Sequence, residues 1–418
     1  MKSISKLILE DREKRSETVK TIIDDGFGAV VLKANIPGPE KRLPVSYLLV
    51  RYYGALLNLL LNTKPLIIDG YDGPAYIYRV DPETDWKTRM TKIEETTPLG
   101  RFVDIDVYQK SYKSKTRNNL RKCYLCDNPA FVCGRNQAHS YLELLNAIEK
   151  NVYSVIKETL FKLVKQSLML ELNLHPKFGL VTPYSRGSHP DMDYNLMIKA
   201  QDAIIPPLVD MFFKGLNETD LPKLFKECRE IGKSSEQSML QATGNINAYK
   251  GLIFSLGLTL ASSGYVLGHH LPFSSIFSAV KAMTVDLMQE LSIPPESFGM
   301  HAYQKYGIGG ARYEASQGYL LVQKNLTEQV SLEPASLMML LIKIIGECQD
   351  TVLLKRAGSL EKYQYFKQLV ASIKEYDLER IAEVTDLCVK NNISFGGSAD
   401  LLIVTIFLKL LQQTFYVI

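Results

Sequence analysis

Apolar positions recur at helical spacing from Ile4 to Ile23, with charged residues filling the opposite face, so the chain opens on an amphipathic helix. The period then shortens. Gly28 to Asn35 is a β-branched run closed by the turn Ile36-Pro37-Gly38-Pro39 and reads as a strand. Tyr47 to Leu61 returns to a Leu-dense helix, Ala75 to Val80 and Phe102 to Tyr108 are extended, and the charged run Asp85 to Glu95 between them is expected to be helical. This mixture of periods makes the first unit α+β. From about Tyr141 the strand signals stop, and the spacing predicts helices over 141–172, 191–214, 248–262, 275–291, 334–356, 362–374 and 398–417. The second unit is therefore expected to be all-α. No linker rich in Pro, Gly or Ser separates the two, and the boundary is placed near 145–155, giving domains 1–150 and 155–418. No internal repeat stands out.

Length and composition narrow the class. A chain of 418 residues with 46% hydrophobic and 22% charged residues can bury a large core, which excludes disordered, collagen-like and disulfide-framed classes. The net charge of +4 hides an asymmetry: residues 1–150 carry 24 Lys and Arg against 19 Asp and Glu, the remainder 25 against 26. The two parts are expected to meet different partners. Glu10 and Asp11 interrupt the N-terminal segment before any apolar run of useful length, so no secretory signal is expected and the cytoplasm is the expected compartment. Leu401 to Ile418, the most apolar stretch, contains Lys409, Gln412 and Gln413 and is expected to be a buried final helix, with no membrane involved. Six cysteines in such a chain are thiols or metal ligands rather than disulfides.

In the first unit the sharpest candidate is Gly100 to Val107. On a strand, Asp104 and Asp106 share one face about 6–7 Å apart at Cα, with Val103, Ile105 and Val107 on the other. Two like charges on one face repel unless a metal or an Arg lies between them, and a solvated strand face is the alternative. The arrangement is similar to the Asp-x-Asp strand of nucleotidyltransferases, which hold Mg²⁺. Downstream, Lys110, Lys113, Lys115, Arg117, Arg121 and Lys122 form a basic run without an acid, suited to phosphates or an acidic protein surface. With only Tyr112 interleaved, nucleic acid is not the expected partner. Cys123, Cys126, Cys133 and His139 could complete a tetrahedral zinc site, although only Cys123 and Cys126 form a short-spaced pair, and thiols without metal are the expected state.

In the second unit Ser188-His189-Pro190-Asp191-Met192-Asp193 opens a helix. Ser188 and Asp191 fit a capping box, whereas Asp193 is left over, so Asp191 and Asp193 could bind the Mg²⁺ of a nucleotide. Asn245, Asn247 and Lys250 offer amides and a cation to phosphate or purine, with capping by Asn as the alternative. Tyr306 to Arg312 is a glycine-rich turn ending in a cation. Gly396, Gly397 and Ser398 precede the last helix, where Ser398 is a plausible cap beside amides that could hold an anion, and Asp400 adds a carboxylate.

Taken together these segments resemble two known families. Asn35 to Pro39, Pro98 through Asp106 and Arg121 through His139 resemble the holo-citrate lyase synthase family. Gly179-Leu180-Val181, Ser188 through Asp193, Asn245 through Gly251, Tyr306 through Glu314, Asp350-Thr351 and Gly396 through Asp400 resemble the triphosphoribosyl-dephospho-CoA synthase family. In order, they cover nearly the whole chain and are similar to the fused CitXG type; Tyr184-Ser185-Arg186-Gly187 departs from the family pattern. The resemblance implies that the helical part joins 3′-dephospho-CoA to the ribose of ATP, releasing adenine. It implies that the α+β part transfers phosphoribosyl-dephospho-CoA to a serine of the acyl carrier (gamma) subunit of citrate lyase, releasing pyrophosphate. It further implies Asp191, Asp193 or Asp400 as base in the first reaction, and Asp104, Asp106 with Mg²⁺ and Arg101 in the second. Arg312, Gly396, Gly397 and Ser398 would join Asn245, Asn247 and Lys250 around nucleotide and phosphates. The equivalent system of malonate decarboxylase, or a carrier-binding assembly factor without activity, are the alternatives.

Overall fold

The computed structural model describes residues 3–115, 120–290, 297–326 and 330–416. The chain packs as two compact units, one made of Met1–Thr159, Leu267–His270 and Leu411–Ile418, the other of Leu160–Val266 and Leu271–Leu410.

The first unit begins with α1 (Ile4–Asp24), whose free N–H groups are met at Ser3, which accepts from the Lys6 amide. β1 (Gly28–Ala34), α2 (Pro44–Leu61), β2 (Leu66–Gly70), β3 (Gly73–Val80), α3 (Trp86–Thr96), one 3₁₀ turn at Gly100–Phe102, and β4 (Val103–Tyr108) follow, then α4 (Ala130–Arg135) and the start of α5 (Tyr141–Leu172). The sheet is antiparallel throughout, in the order β2-β3-β1-β4. Its register sets two faces. Leu32, Tyr76, Tyr78, Ile105 and Val107 point to one side, where α2 packs on β1 and β3 and α3 packs on β4. Val31, Ile77 and Ala29 point to the other and are covered by Val19 and Ile22 of α1. The α+β expectation is met, and β4 alternates buried and half-buried residues as its period of two requires. β2 escaped the sequence pattern because it is a short edge strand whose Leu66 and Ile67 stay exposed, leaving no buried alternation to detect.

The second unit is all helix among the described residues. It contains the rest of α5, then α6 (Tyr194–Asn217), α7 (Leu221–Thr243), α8 (Lys250–Gly268), α9 (Ser275–Met283), α10 (Leu287–Glu290), α11 (Phe298–Tyr306), α12 (Gly310–Ser316), α13 (Leu320–Leu326), α14 (Pro334–Glu347), α15 (Thr351–Ala357), α16 (Leu360–Ala371), α17 (Leu378–Lys390) and most of α18 (Gly396–Phe415). Helices α6 and α8 cross at backbone contact: a Cβ on Gly215 would land on the Ala261 carbonyl, and one on Gly264 on the Phe212 carbonyl. The helix expected over 334–356 is two, because Asp350 caps a new one. The helix expected over 275–291 breaks at Thr284, and residue 291 lies outside the described residues, as does 417 of the last helix. α4, α7, α11, α12, α13 and α17 lie outside the expected helices. The buried stripe of α7 is Leu224, Cys228, Ser235, Met239 and Thr243, too polar to stand out by hydropathy.

Three helices, α2, α8 and α18, are long and apolar enough to cross a membrane by length and composition. In each, more than half of the apolar window is buried within the protein.

Candidate active sites

Strand β4 carries Asp104 and Asp106 on the face that α1 covers further along, with Lys33 of β1 directly opposite Asp104. Arg121 donates to Asp104 Oδ1 at 3.1 Å and to Glu94 Oε1 at 2.5 Å, and the same Glu94 oxygen accepts the Ile105 N–H at 2.9 Å. A buried glutamate thus fixes both the arginine and the strand that bears the acidic pair. Asp106 has no hydrogen-bond donor among the described residues; burial, then the Asp104 charge, pushes its carboxyl above the usual range. Beside this pair, Asp72 gathers Arg12 at 3.1 Å, Arg15 at 2.7 Å and Lys33. Burial, then the Arg15 charge, pulls Lys33 down to about 8. Two carboxylate oxygens on Asp104 and Asp106 with cations around them fit a hard divalent cation completed by phosphate oxygens.

Arg101 does not meet this pair. Its Nε donates to the Lys122 carbonyl at 3.0 Å and its guanidinium lies 4.1 Å over the Tyr124 ring, so the cation at the acidic pair is Arg121. Of the basic run, Lys110 pairs with Glu83 and Lys122 with Asp127, Lys113 and Lys115 are exposed, and Arg117 lies outside the described residues. Cys123, Cys126, Cys133 and His139, separated along the chain, come together with their ligand atoms all within 4.8 Å of one another.

The helical unit draws several acids inward. Asp400, half-buried in the first turns of α18, has no donor among the described residues; burial, then Asp350 and Glu171, raises its carboxyl well above the usual range. A side chain on Gly251, at the start of α8, would strike Asp400 Oδ2, so glycine there keeps the carboxyl in place. Glu314 of α12 is 8% exposed, also without a donor among the described residues, and burial pushes it up to about 7. Tyr319 feels both Glu314 and Asp400, and Tyr249 feels Glu171 and Asp400. Glu171 is tied to buried Lys177 at 2.7 Å. A carboxyl able to hold or release a proton near neutrality, as Glu314 is, suits acid–base work.

Other expected residues fall elsewhere. The capping box at Ser188 and Asp191 is not formed: Ser188 is buried and its hydroxyl donates to the Ile393 carbonyl at 2.5 Å, while Asp193 is the N-cap of α6, accepting from the Leu196 N–H at 2.9 Å. The other Asp193 oxygen accepts from Arg186 at 3.3 Å, and Asp191 is exposed. His189, between them, accepts from Arg356 at 2.7 Å through Nδ1 and meets the Ser394 hydroxyl at 2.9 Å through Nε2; burial, then Arg356, lowers it to about 4. Asn247 precedes α8 and its Oδ1 accepts the Lys250 N–H at 3.1 Å, which is the capping alternative. Lys250 pairs with Glu236 at 2.6 Å, and Asn245 is an exposed left-handed residue after Gly244. Arg312 sits on α12, not in a turn. Ser398 is neither cap nor anion site, since its N–H and hydroxyl both donate to buried Asp350, and Gly396 and Gly397 are small where α18 meets Val352 and Asp350.

Sequence reading missed Glu171, Glu314, His189 and Arg356 as site residues. Glu171 and Asp400 had a usable signal, a single acid inside an otherwise apolar helical run. Apart from lying at the end of the family-like segment Tyr306 through Glu314, Glu314 had none, because Ala-Arg-Tyr-Glu-Ala-Ser looks like solvated helix until α9 and α10 pack against α12.

Residues 4–155 match the family model CitX, apo-citrate lyase phosphoribosyl-dephospho-CoA transferase, and residues 157–417 match CitG, ATP:dephospho-CoA triphosphoribosyl transferase. The chain is similar to "Protein CitXG" of Leuconostoc mesenteroides subsp. cremoris, 31% identical with 96% of each chain covered. It is also similar to "Protein CitXG" of Haemophilus influenzae, 30% identical over 79% of this chain and 78% of the relative. The 2-(5″-triphosphoribosyl)-3′-dephosphocoenzyme-A synthase of Haemophilus ducreyi is 28% identical over 68% of this chain and 98% of its own.

Proposed function

We propose an assignment of residues to two reactions, starting from the fact that the chain belongs to the fused CitXG family, with a CitX part followed by a CitG part. It is a bifunctional transferase that forms the citrate lyase prosthetic group precursor from ATP and 3′-dephospho-CoA and attaches it to the apo-enzyme.

In the CitG part, the 2′-hydroxyl of dephospho-CoA attacks C1″ of the ATP ribose, the bond to adenine breaks, the hydroxyl proton passes to a base and adenine takes up a proton. The observation that carries the assignment is two carboxyls without a donor among the described residues, Glu314 and Asp400, both close enough to buried Tyr319 to act on it. A carboxyl with its midpoint at about 7 can hold the proton that adenine needs, and a second carboxyl can take the hydroxyl proton and face the positive charge growing at the ribose. Asp191, Asp193, Asn245, Asn247, Lys250 and Arg312 lie outside this carboxyl set, and we assign them no proton-transfer role; a part in nucleotide binding is their candidate role.

In the CitX part, the hydroxyl of the carrier serine attacks the α-phosphorus of the 5″-triphosphate, a new P–O bond forms as the bond to the bridging oxygen breaks, pyrophosphate leaves and the serine proton passes to solvent. Asp104 and Asp106 would hold Mg²⁺, which when bound neutralises triphosphate charge. Arg121 keeps Asp104 oriented, and Arg15 and Lys33 add positive charge on the same face. We assign carrier docking to the side of the exposed Lys113 and Lys115, which suits an acidic protein surface, and the work to the cytoplasm, where thiols stay reduced.

The full chain given ATP, Mg²⁺ and dephospho-CoA is expected to release free adenine, and on addition of apo-carrier to raise the carrier mass by one phosphoribosyl-dephospho-CoA. Carrier labelling without stoichiometric adenine would overturn the order of reactions.

A further inference from the structure

We propose that Cys123, Cys126, Cys133 and His139 bind one Zn²⁺ in a closed, structural tetrahedral site, and that this site holds Arg121 against Asp104. Two of the six ligand-atom separations lie close to those one zinc imposes, and the rest are short enough to close onto one ion. With Zn–S about 2.3 Å and Zn–N about 2.0–2.1 Å, tetrahedral geometry puts ligand atoms about 3.5–3.8 Å apart. Cys126 Sγ is 3.5 Å from Cys133 Sγ and 3.4 Å from His139 Nε2, and every ligand pair is within 4.8 Å. A disulfide would need about 2.05 Å between sulfurs. A two-iron cluster would spread its ligand pairs over two irons, and soft thiolates do not suit Mg²⁺ or Ca²⁺.

The local fold supports the same reading. Lys122 bridges to Pro129 in antiparallel fashion, with the Cys123 N–H donating to the Asn128 carbonyl at 2.8 Å, and this tight turn delivers Cys123 and Cys126 together. Cys133 comes from α4, and the Ala138 N–H returning to the Cys133 carbonyl at 3.0 Å aims His139 inward. Between residues 120 and 140 Cys133 alone is buried, so the segment has almost no apolar core to hold it. A metal bond set supplies the folding energy that such a segment lacks.

The module matters for what precedes it. Arg121 is two residues before the first ligand, its carbonyl accepts the Ala130 N–H at 2.8 Å, and its side chain joins Glu94 to Asp104. Arg101 holds the neighbouring Lys122 carbonyl. Losing the metal would therefore free Arg121 from the acidic pair, a consequence that rests on the transferase role given to that pair.

Metal analysis of the full chain, purified reduced and without chelator, tests the site. About one zinc per chain is expected, falling more than tenfold in Cys126→Ser and Cys133→Ser and unchanged in Cys228→Ser, whose thiol is buried in α7. Because the first two variants could unfold locally, the wild-type chain is also stripped, reduced and titrated with Co²⁺, with thiolate-to-cobalt charge-transfer absorption expected at one equivalent. A chain with no zinc and no such absorption, or with Cys126 and Cys133 disulfide-bonded as purified, overturns the proposal. The stripped chain should label the carrier about tenfold or more slowly while releasing adenine at the native rate. Unchanged labelling by the stripped chain overturns the positioning role alone. Labelling absent even from the zinc-loaded chain indicts the transferase assignment and leaves the metal site standing.

Discussion

Asp350 receives both the N–H and the hydroxyl of Ser398, each at 2.9 Å, through one carboxylate oxygen. Its other oxygen accepts the N–H groups of Val352 and Leu353 at 2.9 and 3.0 Å, so one buried acid starts α15 and clamps α18, which carries Asp400 two residues on. Removing it strands four donors. Asp350→Ala should cost about 3–5 kcal/mol and abolish adenine release, measured by chemical denaturation and adenine assay. Ser398→Ala should cost only about 1–2 kcal/mol and leave the KM for ATP unchanged. A large rise in that KM would restore Ser398 as a phosphate contact.

The contrast shows what the sequence could carry. Gly396-Gly397-Ser398 before a helix has the composition of an anion loop, yet its polar groups are spent on an acid 48 residues earlier, a partner that no local pattern encodes. The Asp-x-Asp strand was legible because the alternation Val103, Asp104, Ile105, Asp106, Val107 is itself the structure of β4. Its cation was misassigned to Arg101, since Arg121 reaches Asp104 only through the turn after the basic run. In the helical unit Asp193 was thought to be left over from capping; in fact it is the cap, because the helix starts at Tyr194, three residues later than the hydropathy suggested.

Asp104→Asn and Asp106→Asn should each slow carrier labelling by roughly 100-fold or more while adenine release continues. The warrant is the shared face: either change removes a hard oxygen from the site that faces the triphosphate. Intact mass of the carrier and liquid chromatography of adenine report the two activities separately. Native-rate labelling by the double variant would remove the metal role from this strand.

Arg121→Ala should give a similar loss of labelling with less effect than either acid on Mg²⁺ dependence. Its removal also leaves Glu94, 5% exposed, without its 2.5 Å ion pair, so the first unit should lose stability. Arg121→Lys restores charge without the fork that reaches Glu94 and Asp104 together, and is expected to recover stability only in part. Full recovery of labelling by Lys would mean that charge alone, not orientation, is needed.

Glu314 gives a pH test. Its folded midpoint, about 7, lies above the ordinary value of 4.5. The folded chain therefore holds a proton that the unfolded chain releases between those values, and stability falls as pH rises through that window. The full penalty, about 3 kcal/mol, is present above pH 7 and nearly gone at pH 4.5. Glu314→Gln should thus stabilise the chain at pH 8 and change it little at pH 5, while stopping adenine release at both. In the native chain adenine release should decline above about pH 7 as the proton is lost. Equal stabilities of variant and native chain at pH 8 would show that the carboxyl is not held protonated.

The two parts should be separable, with a qualification set by the packing. The family matches change over between residues 155 and 157, inside α5, and the compact first unit extends to Thr159. That unit also includes 267–270 and 411–418. From these segments His270 donates through Nδ1 to Asp69 Oδ2 at 2.7 Å and stacks on Tyr47 at 4.7 Å, and the Tyr416 ring lies 4.5 Å from the Arg51 guanidinium. A 1–159 fragment lacks them, and with them contacts worth about 0.5–2 kcal/mol each. It keeps the whole sheet, α1 to α4 and the cysteine cluster, so it should fold with a lower Tm and still transfer a preformed triphosphoribosyl precursor to the carrier. Thermal melts and carrier mass decide it. A fragment that is insoluble, or folded but unable to label the carrier, would mean that the segments from beyond residue 159 complete the transferase rather than merely stabilise it.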